Sequence, residues 1–457
     1  MGAYAREPGG RLTGLRARCE PSLAALRGSD TAKAAGLAGA MIANNVIALG
    51  STIVFARLLS DYGSLAALVS YFLILSVAGQ AIQVATAREG VLGNLGVGAD
   101  LSATLRRWMW GLLWFTLAIT AVSALLRDPI AEAVGVKHDQ WAAAIGLPAG
   151  CLWIGLSIFR GALQGVGDYK SVGISLIGEQ SARLVFGAAL AAIGLGVTGA
   201  YLGTPISFIA MGLFCAVALR REVAKASAAQ DAEGVVTTAR PAAALGLWTH
   251  VRRAWAPIAG LIVIAVLQNI DIIAAKHRFT GTKDLASSYA ATAVAAKVLV
   301  WVAIGASFYL VPEVSRRRAQ GDDTRPVLTR AIAIILVCAV PVLLIFAFGA
   351  RPLLRIGFGP HRLAATDSLL VLGLAFTVLA CTYLAIQYML ALKRTRFLIV
   401  LAAVAIAEPV LLLQASRKPT GFAAVVLAVQ AVGALLAFAL ALRRDRPHPA
   451  TAIAEPA

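Results

Sequence analysis

The sequence predicts an all-α polytopic membrane protein of about twelve transmembrane helices, arranged as two six-helix bundles related by a pseudo-twofold axis. Three observations carry that expectation. Hydrophobic residues make up 59% of the 457, and the mean hydropathy is +0.79, well above the balance of a soluble chain. Between Ala34 and Leu442 lie twelve separate, mostly apolar stretches, each long enough to cross ~30 Å of hydrocarbon, which takes about 20 residues of helix. The stretches are continuous rather than alternating. That excludes a transmembrane β-barrel and leaves helices, which satisfy their own backbone inside lipid.

A basic tail over residues 1–33 precedes the first span. It holds Arg6, Arg11, Arg16, Arg18 and Arg27, but the first apolar run is of spanning length, unlike the short core of a cleaved signal, so the tail is expected to be retained. Its interleaved Leu12, Leu15, Leu23 and Leu26 suit a segment lying on an anionic membrane surface, or a disordered one. Spans one to six are expected at 34–55, 64–86, 108–126, 141–159, 172–194 and 198–219, forming an amino-terminal lobe over 34–219. Residues 220–255 read as a cytoplasmic linker, with Arg220, Arg221 and Lys225 at its start and Arg252 and Arg253 near its end. Spans seven to twelve follow at 256–275, 286–311, 328–349, 367–391, 397–415 and 420–442, a carboxyl-terminal lobe over 256–442. A cytoplasmic tail, 443–457, closes the chain. Six is even, so both lobes begin and end on the same side and would be parallel repeats about an axis along the membrane normal.

Internal similarity supports the division. Span one leaves through Phe55-Ala-Arg-Leu-Leu-Ser-Asp-Tyr-Gly63 and span seven through Ile273-Ala-Ala-Lys-His-Arg-Phe-Thr-Gly281, while spans five and eleven each carry one glutamate near mid-depth, Glu179 and Glu408. The charge of +18, from 41 Lys and Arg against 23 Asp and Glu, would suggest nucleic acid in a soluble chain. Here position explains it: 28 of the 41 basic residues fall on one side of the expected topology and 11 on the other. By the positive-inside rule both termini are cytoplasmic, in an inner membrane. No nucleic-acid partner is implied.

Several function classes drop out. The five cysteines have no Cys-x-x-Cys spacing and no flanking histidine set, so neither a disulfide framework nor a zinc site is indicated. There is no GxxxxGKS/T loop and no Rossmann strand, and the outer loops, about 15 residues or shorter, have no room for a folded catalytic domain. The chain reads as a non-enzyme that needs no cofactor.

Charged residues inside spans cost about 2.5–3.5 kcal/mol each on insertion scales and need a reason. Glu179 and Arg183 in span five have i, i+4 spacing with the acid first, which suits an ion pair. The pair either holds span five against its neighbours or lines a cavity in which Arg183 meets an anion. Asp271 in span seven and Lys297 in span eight either pair or present a cation to a cavity. Asn44 and Asn45 with Gln80 and Gln83 add polar groups to spans one and two, suited to interhelical hydrogen bonds or to substrate contact. Glu408 precedes Pro409, where a kink could house a neutral acid or an ion-coupling one.

The turn FARLLSDYG at 55–63, the stretch FRGALQGVGDYKSVG at 159–173 leading to GEQSARL at 178–184, and the run QNIDIIAAKHRFTGTKDLASSYAATAVAAKV at 268–298 resemble the polysaccharide-transporter branch of the multidrug/oligosaccharidyl-lipid/polysaccharide (MOP) flippase superfamily. The resemblance spans both lobes. It implies two six-helix bundles around a central cavity that opens alternately to each side and carries a polyprenyl-pyrophosphate-linked saccharide or cell-envelope polysaccharide precursor. Membrane lipids, and glycosyltransferases or a polymerase, would be its partners. Spans thirteen and fourteen of the lipid II flippases are missing. Arg57, Arg183 and Lys297, with Asn45 and Gln80, are the expected substrate contacts, and Glu179, Asp271 and Glu408 the expected ion-coupling or structural acids. A cation-coupled multidrug exporter and a non-transporting membrane scaffold are the alternatives.

Overall fold

A computed structural model describes residues 30–96, 98–233, 255–281 and 283–443. Most of the two expected tails, and residues 234–254 of the expected linker, lie outside that set. The described residues are helical, with no strand among them. The first half comprises α1 (Asp30–Leu58), α2 (Tyr62–Val91), α3 (Ala99–Leu125), a short α4 (Arg127–Val134), α5 (Gln140–Gly165), α6 (Tyr169–Leu190) and α7 (Gly196–Glu233). The second comprises α8 (Trp255–Arg278), α9 (Lys283–Ala296), α10 (Val298–Gln320), α11 (Arg325–Phe348), a short α12 (Ala350–Phe358), α13 (Leu369–Ala391), α14 (Phe397–Gln414) and α15 (Pro419–Ala441).

Among the described residues eleven helical runs are long and apolar enough to cross a membrane, and one of these, Tyr169–Ala228, is 60 residues long. That run is two crossings. A π-helical turn, Ala191–Leu195, joins α6 to α7, with Gly194 at φ 103° and Gly196 at φ 53°, conformations open to glycine at little steric cost. They let α6 and α7 fold side by side.

The packing repeats between halves. In the first, α5 packs against α2, α3 and α7, and α6 against α1 and α7; in the second, α13 packs against α10, α11 and α15, and α14 against α8 and α15. These are the same pairings of corresponding spans, and the short helices α4 and α12 occupy the same place after the third span of each half. α5 and α13 are the most enclosed helices of their halves. α3 and α11 keep Trp110, Trp114, Val337 and Phe348 exposed, as helices facing acyl chains do.

Three local features depart from the sequence-based expectation. α7 runs to Glu233, well into the expected linker, because the Ala-rich extension, with its Arg, Glu, Lys and Gln, favours helix without lipid. The eighth span is broken at Lys297, which lies between α9 and α10. And α5 continues to Gly165, so Arg160, one residue beyond the expected end of span four, is fully buried inside the helix packing.

Candidate functional site

Each half holds one buried charge cluster. In the first, Arg160 on α5 reaches α6: its Nε donates to Ser175 Oγ at 2.9 Å, and its Nη2 to Ser175 O at 2.8 Å and to Glu179 Oε2 at 3.1 Å. Glu179 Oε1 accepts a second guanidinium, Arg183 Nη2, at 2.7 Å. One carboxylate therefore serves two arginines, and the cluster carries an excess of one positive charge. Around it stand Phe72, Trp153 and Phe208, with ring centroids 5.3–6.4 Å apart. Arg160 lies over Trp153 at 5.4 Å, and Arg183 over Phe208 at 5.5 Å. Trp153 is fixed by donating its Nε1–H to Ser76 O at 2.7 Å. Arg160 has no exposed side-chain surface, whereas Arg183 is 15% exposed, so Arg183 is the member that reaches outward.

In the second half the balance is reversed. Lys297 Nζ donates to Asp271 Oδ1 at 3.2 Å, and Tyr289 Oη donates to Asp271 Oδ2 at 3.4 Å. The turn that separates α9 from α10 carries this lysine, whose Nζ lies 5.2 Å from the Phe376 ring centroid. Glu408 accepts from Gln430 Nε2 at 3.1 and 3.3 Å, and the same amide donates to Leu267 O. Glu408 is close enough to feel the charges of both Asp271 and Lys297. Two carboxyls face one cation.

The halves are closed against each other at the end remote from the chain termini. Asp61 follows α1 and caps α2 through Ser64 N, and both its carboxylate oxygens accept from Lys276 Nζ, at 2.7 and 2.9 Å. Burial pushes the Asp61 carboxyl up, but the Lys276 hydrogen bonds and charge, together with Ser64, hold it below the ordinary carboxylate value. Arg362 donates to the carbonyls of Ala56, Leu59 and Ser60, the free acceptors where α1 ends. Arg57 in turn donates to the carbonyls of Ile356 and Gly357, where α12 ends. Each half thus lends an arginine to a helix C-terminus of the other, where unpaired carbonyls and the helix dipole favour a cation. Gly63 N donates to Ser287 Oγ at 2.9 Å, and a Cβ on Gly63 would stand 3.1 Å from Ser287 N. A side chain there would press the two helix starts apart by a few tenths of an ångström.

Of the residues the sequence singled out, the structure joins Glu179 to Arg183 and Asp271 to Lys297, and places Glu408 beside the latter pair. Arg57 belongs to the closed end, apart from both clusters. Asn45 and Gln80 lie on exposed faces of α1 and α2. Sequence reasoning missed Arg160, Gln430, Lys276 and Arg362. Arg160 lies in the FRGALQG stretch, one residue beyond the expected end of span four, where it reads as a loop residue. Gln430 stands alone among apolar residues of the last span, a signal that was available. Lys276 and Arg362 lie in loop-like sequence with no local pattern to show their partners.

The fold is that of known MOP-superfamily transporters. A multidrug resistance MATE family transporter in an inward-facing conformation superposes with a TM-score of 0.68 at 12% identity, over 87% of this chain and 93% of that one. The lipid II flippase MurJ, in an inward closed conformation, gives 0.67 at 15% identity over 88% and 87%. An outward-facing MATE structure gives 0.54 at 14% identity, over 91% of this chain and 96% of that one. No family model and no curated protein sequence matches the chain. The chain is a multi-pass membrane protein with the fold shared by these transporters.

Proposed function

We propose that the chain is an alternating-access carrier that moves an anionic, polyprenyl-pyrophosphate-linked saccharide or polysaccharide precursor across the cytoplasmic membrane. The observation that carries this reading is the uncompensated positive charge of the amino-terminal cluster, with Arg183 as its outward-reaching member beside Phe72 and Phe208. A pyrophosphate head group would otherwise cross hydrocarbon unpaired, at a cost of many kcal/mol; a guanidinium offers it bidentate, charge-assisted hydrogen bonds. The closed end remote from the termini supports a state open toward the terminal side, the cytoplasmic side by the positive-inside rule. The head group would enter from there while its lipid tail stays in the bilayer. Separation of the Arg57, Arg362 and Lys276 contacts would then open the outer side and expose three cations along the exit. The membrane potential, about 2.3 kcal/mol per charge per 100 mV, is one available energy source.

One specific observation favours a second reading, cation-coupled export of drug-like molecules: two carboxyls, Asp271 and Glu408, face the single Lys297, which suits a site that takes up a proton or metal cation. The two readings separate in one experiment. After depletion of the protein, lipid-linked saccharide is measured on each leaflet, and an Arg183→Ala copy is supplied. The flippase reading expects precursor to accumulate on the cytoplasmic leaflet and the variant to leave it there although it reaches the membrane. Unchanged leaflet distribution on depletion, with altered drug sensitivity, would replace this reading by the export one.

A further inference from the structure

We infer that a groove at the end of α2 on the side of the chain termini holds one anionic phospholipid, its phosphate on Arg88 and an acyl chain along an apolar wall. The groove is an open cavity of about 430 Å³ between the last turns of α2, the end of α5 and the start of α6, within the ~300–1,000 Å³ of small-molecule clefts. A glycine crossing sets its geometry. A Cβ on Gly90 would stand 2.9 Å from Gly165 Cα, so α2 and α5 meet there through their backbones, and Gln164 of α5 shares the groove with α2. The wall is one face of α2: Val84, Arg88 and Val91 follow at i, i+4 and i+7, covering about 10 Å of helix. Val84, Val91 and Leu92 are all exposed there.

The polar groups select the occupant. Among the described residues the Arg88 guanidinium has no hydrogen-bond or ion-pair partner, and the same holds for the Gln164 amide and the Tyr169 hydroxyl, which line the same groove. The acids next to Arg88 and Tyr169 in the chain serve other groups: Glu89 accepts from Asn94 Nδ2 at 2.6 Å, and Asp168 from Ser171 N at 3.0 Å. A free phosphate would pair with Arg88 and leave the valines uncovered, and a neutral acyl chain would do the reverse. A zwitterionic phospholipid brings its phosphate with a cation already attached. An anionic phospholipid meets both demands, through charge-assisted bonds to the guanidinium and apolar contact below it. Arg88 lies in the last turn of α2, where a cation and a tyrosine suit the head-group layer, and Val84 lies one turn deeper. By the positive-inside rule this end faces the cytoplasmic leaflet, whose anionic lipids attract basic groups. Sixteen residues of α2, about 24 Å of helix, separate Arg88 from the Phe72 that flanks Arg183. The lipid site is therefore distinct from the charge cluster, and the inference holds whichever substrate is carried.

The test is native mass spectrometry of the purified full chain in detergent, with phosphatidylglycerol or phosphatidylcholine of the same acyl chains as probe. One phosphatidylglycerol is expected to stay bound under conditions that strip phosphatidylcholine. Arg88→Gln should weaken its retention about tenfold, as loss of a hydrogen bond to a charged group does. Arg106→Gln, at an exposed position on the same side but outside the groove, should leave retention unchanged. Val84→Asp, which puts a carboxylate on the apolar wall, should weaken retention of both lipids. Arg88 and Val84 are exposed, so the far-ultraviolet helical signal and gel-filtration profile should match those of the parent chain. Equal retention of the two lipids by the parent chain, or equal losses in Arg88→Gln and Arg106→Gln, would overturn the inference and leave only diffuse attraction to the surface charge. A co-purifying polyprenyl phosphate that phosphatidylglycerol does not displace would give the groove to a carried lipid and overturn it equally.

Discussion

The two halves share one packing scheme and place a glutamate in corresponding spans, yet they surround it with opposite charge. Glu179 on α6 lies between two arginines; Glu408 on α14 lies against the neutral amide of Gln430, near an Asp271 that already occupies Lys297. The first half is left with an excess of positive charge and the second with an excess of carboxyl groups. Repetition of the scaffold therefore fixed where charge is buried, and the side chains on neighbouring helices fixed its sign.

The largest effect should come from Glu179→Gln, which leaves the buried Arg160 and the half-buried Arg183 with no counter-charge and no way to neutralise themselves. Loss of about 3–5 kcal/mol is expected, read as a collapse in yield of folded protein. Adding Arg183→Met should restore part of it, and adding Arg160→Met as well should restore most of it. Equal yields for the single variant and the triple one would break the description of the cluster as a shared-carboxylate triad.

Lys297→Met is the mirror experiment. It leaves Asp271 and Glu408 together, but carboxyls can take protons, so the loss should be smaller, about 2 kcal/mol, and should diminish as the pH is lowered. Glu408→Gln removes the surplus acid and keeps a partner for Gln430; its effect should lie within about 1 kcal/mol. If Glu408→Gln proved as damaging as Glu179→Gln, the contrast between the halves would be lost.

Between the halves, Gly63→Val should force α2 away from Ser287. In a chain carrying Ser287→Cys as its one reactive thiol, modification by a water-soluble maleimide is expected to rise several-fold, because Ser287 is buried in the closed state. An unchanged rate would mean that this end is not held shut by the close approach of the two helices.

The smallest effect concerns pH. The Asp61 carboxyl lies below its ordinary value in the folded chain, so its contact with Lys276 contributes fully above about pH 4 and is lost only as the pH falls further. Closure, followed by the same labelling, should therefore be flat from pH 8 to about pH 5. The Arg57 and Arg362 contacts to backbone carbonyls do not involve the Asp61 carboxyl. A midpoint near neutrality would assign closure to another group.

The sequence by itself determined the class of solvent, the number of crossings and the positions of most buried charges. The physical reason is local: a run of about 20 apolar residues has one stable form in lipid, and an ionisable group within it stands out against its background. Glu179 and Arg183 were legible as a pair for the same reason, since i, i+4 spacing on one helix brings side chains together without tertiary information. What only the tertiary structure decided is every partnership between helices. The sequence gives no sign that Arg160 belongs to Glu179, that Gln430 serves Glu408, or that Arg57 and Arg362 each bind a helix end in the opposite half, because those groups lie from 19 to more than 300 residues apart. Such contacts depend on which faces of two helices meet, and near-uniform apolar spans carry little periodic signal from which to read that face.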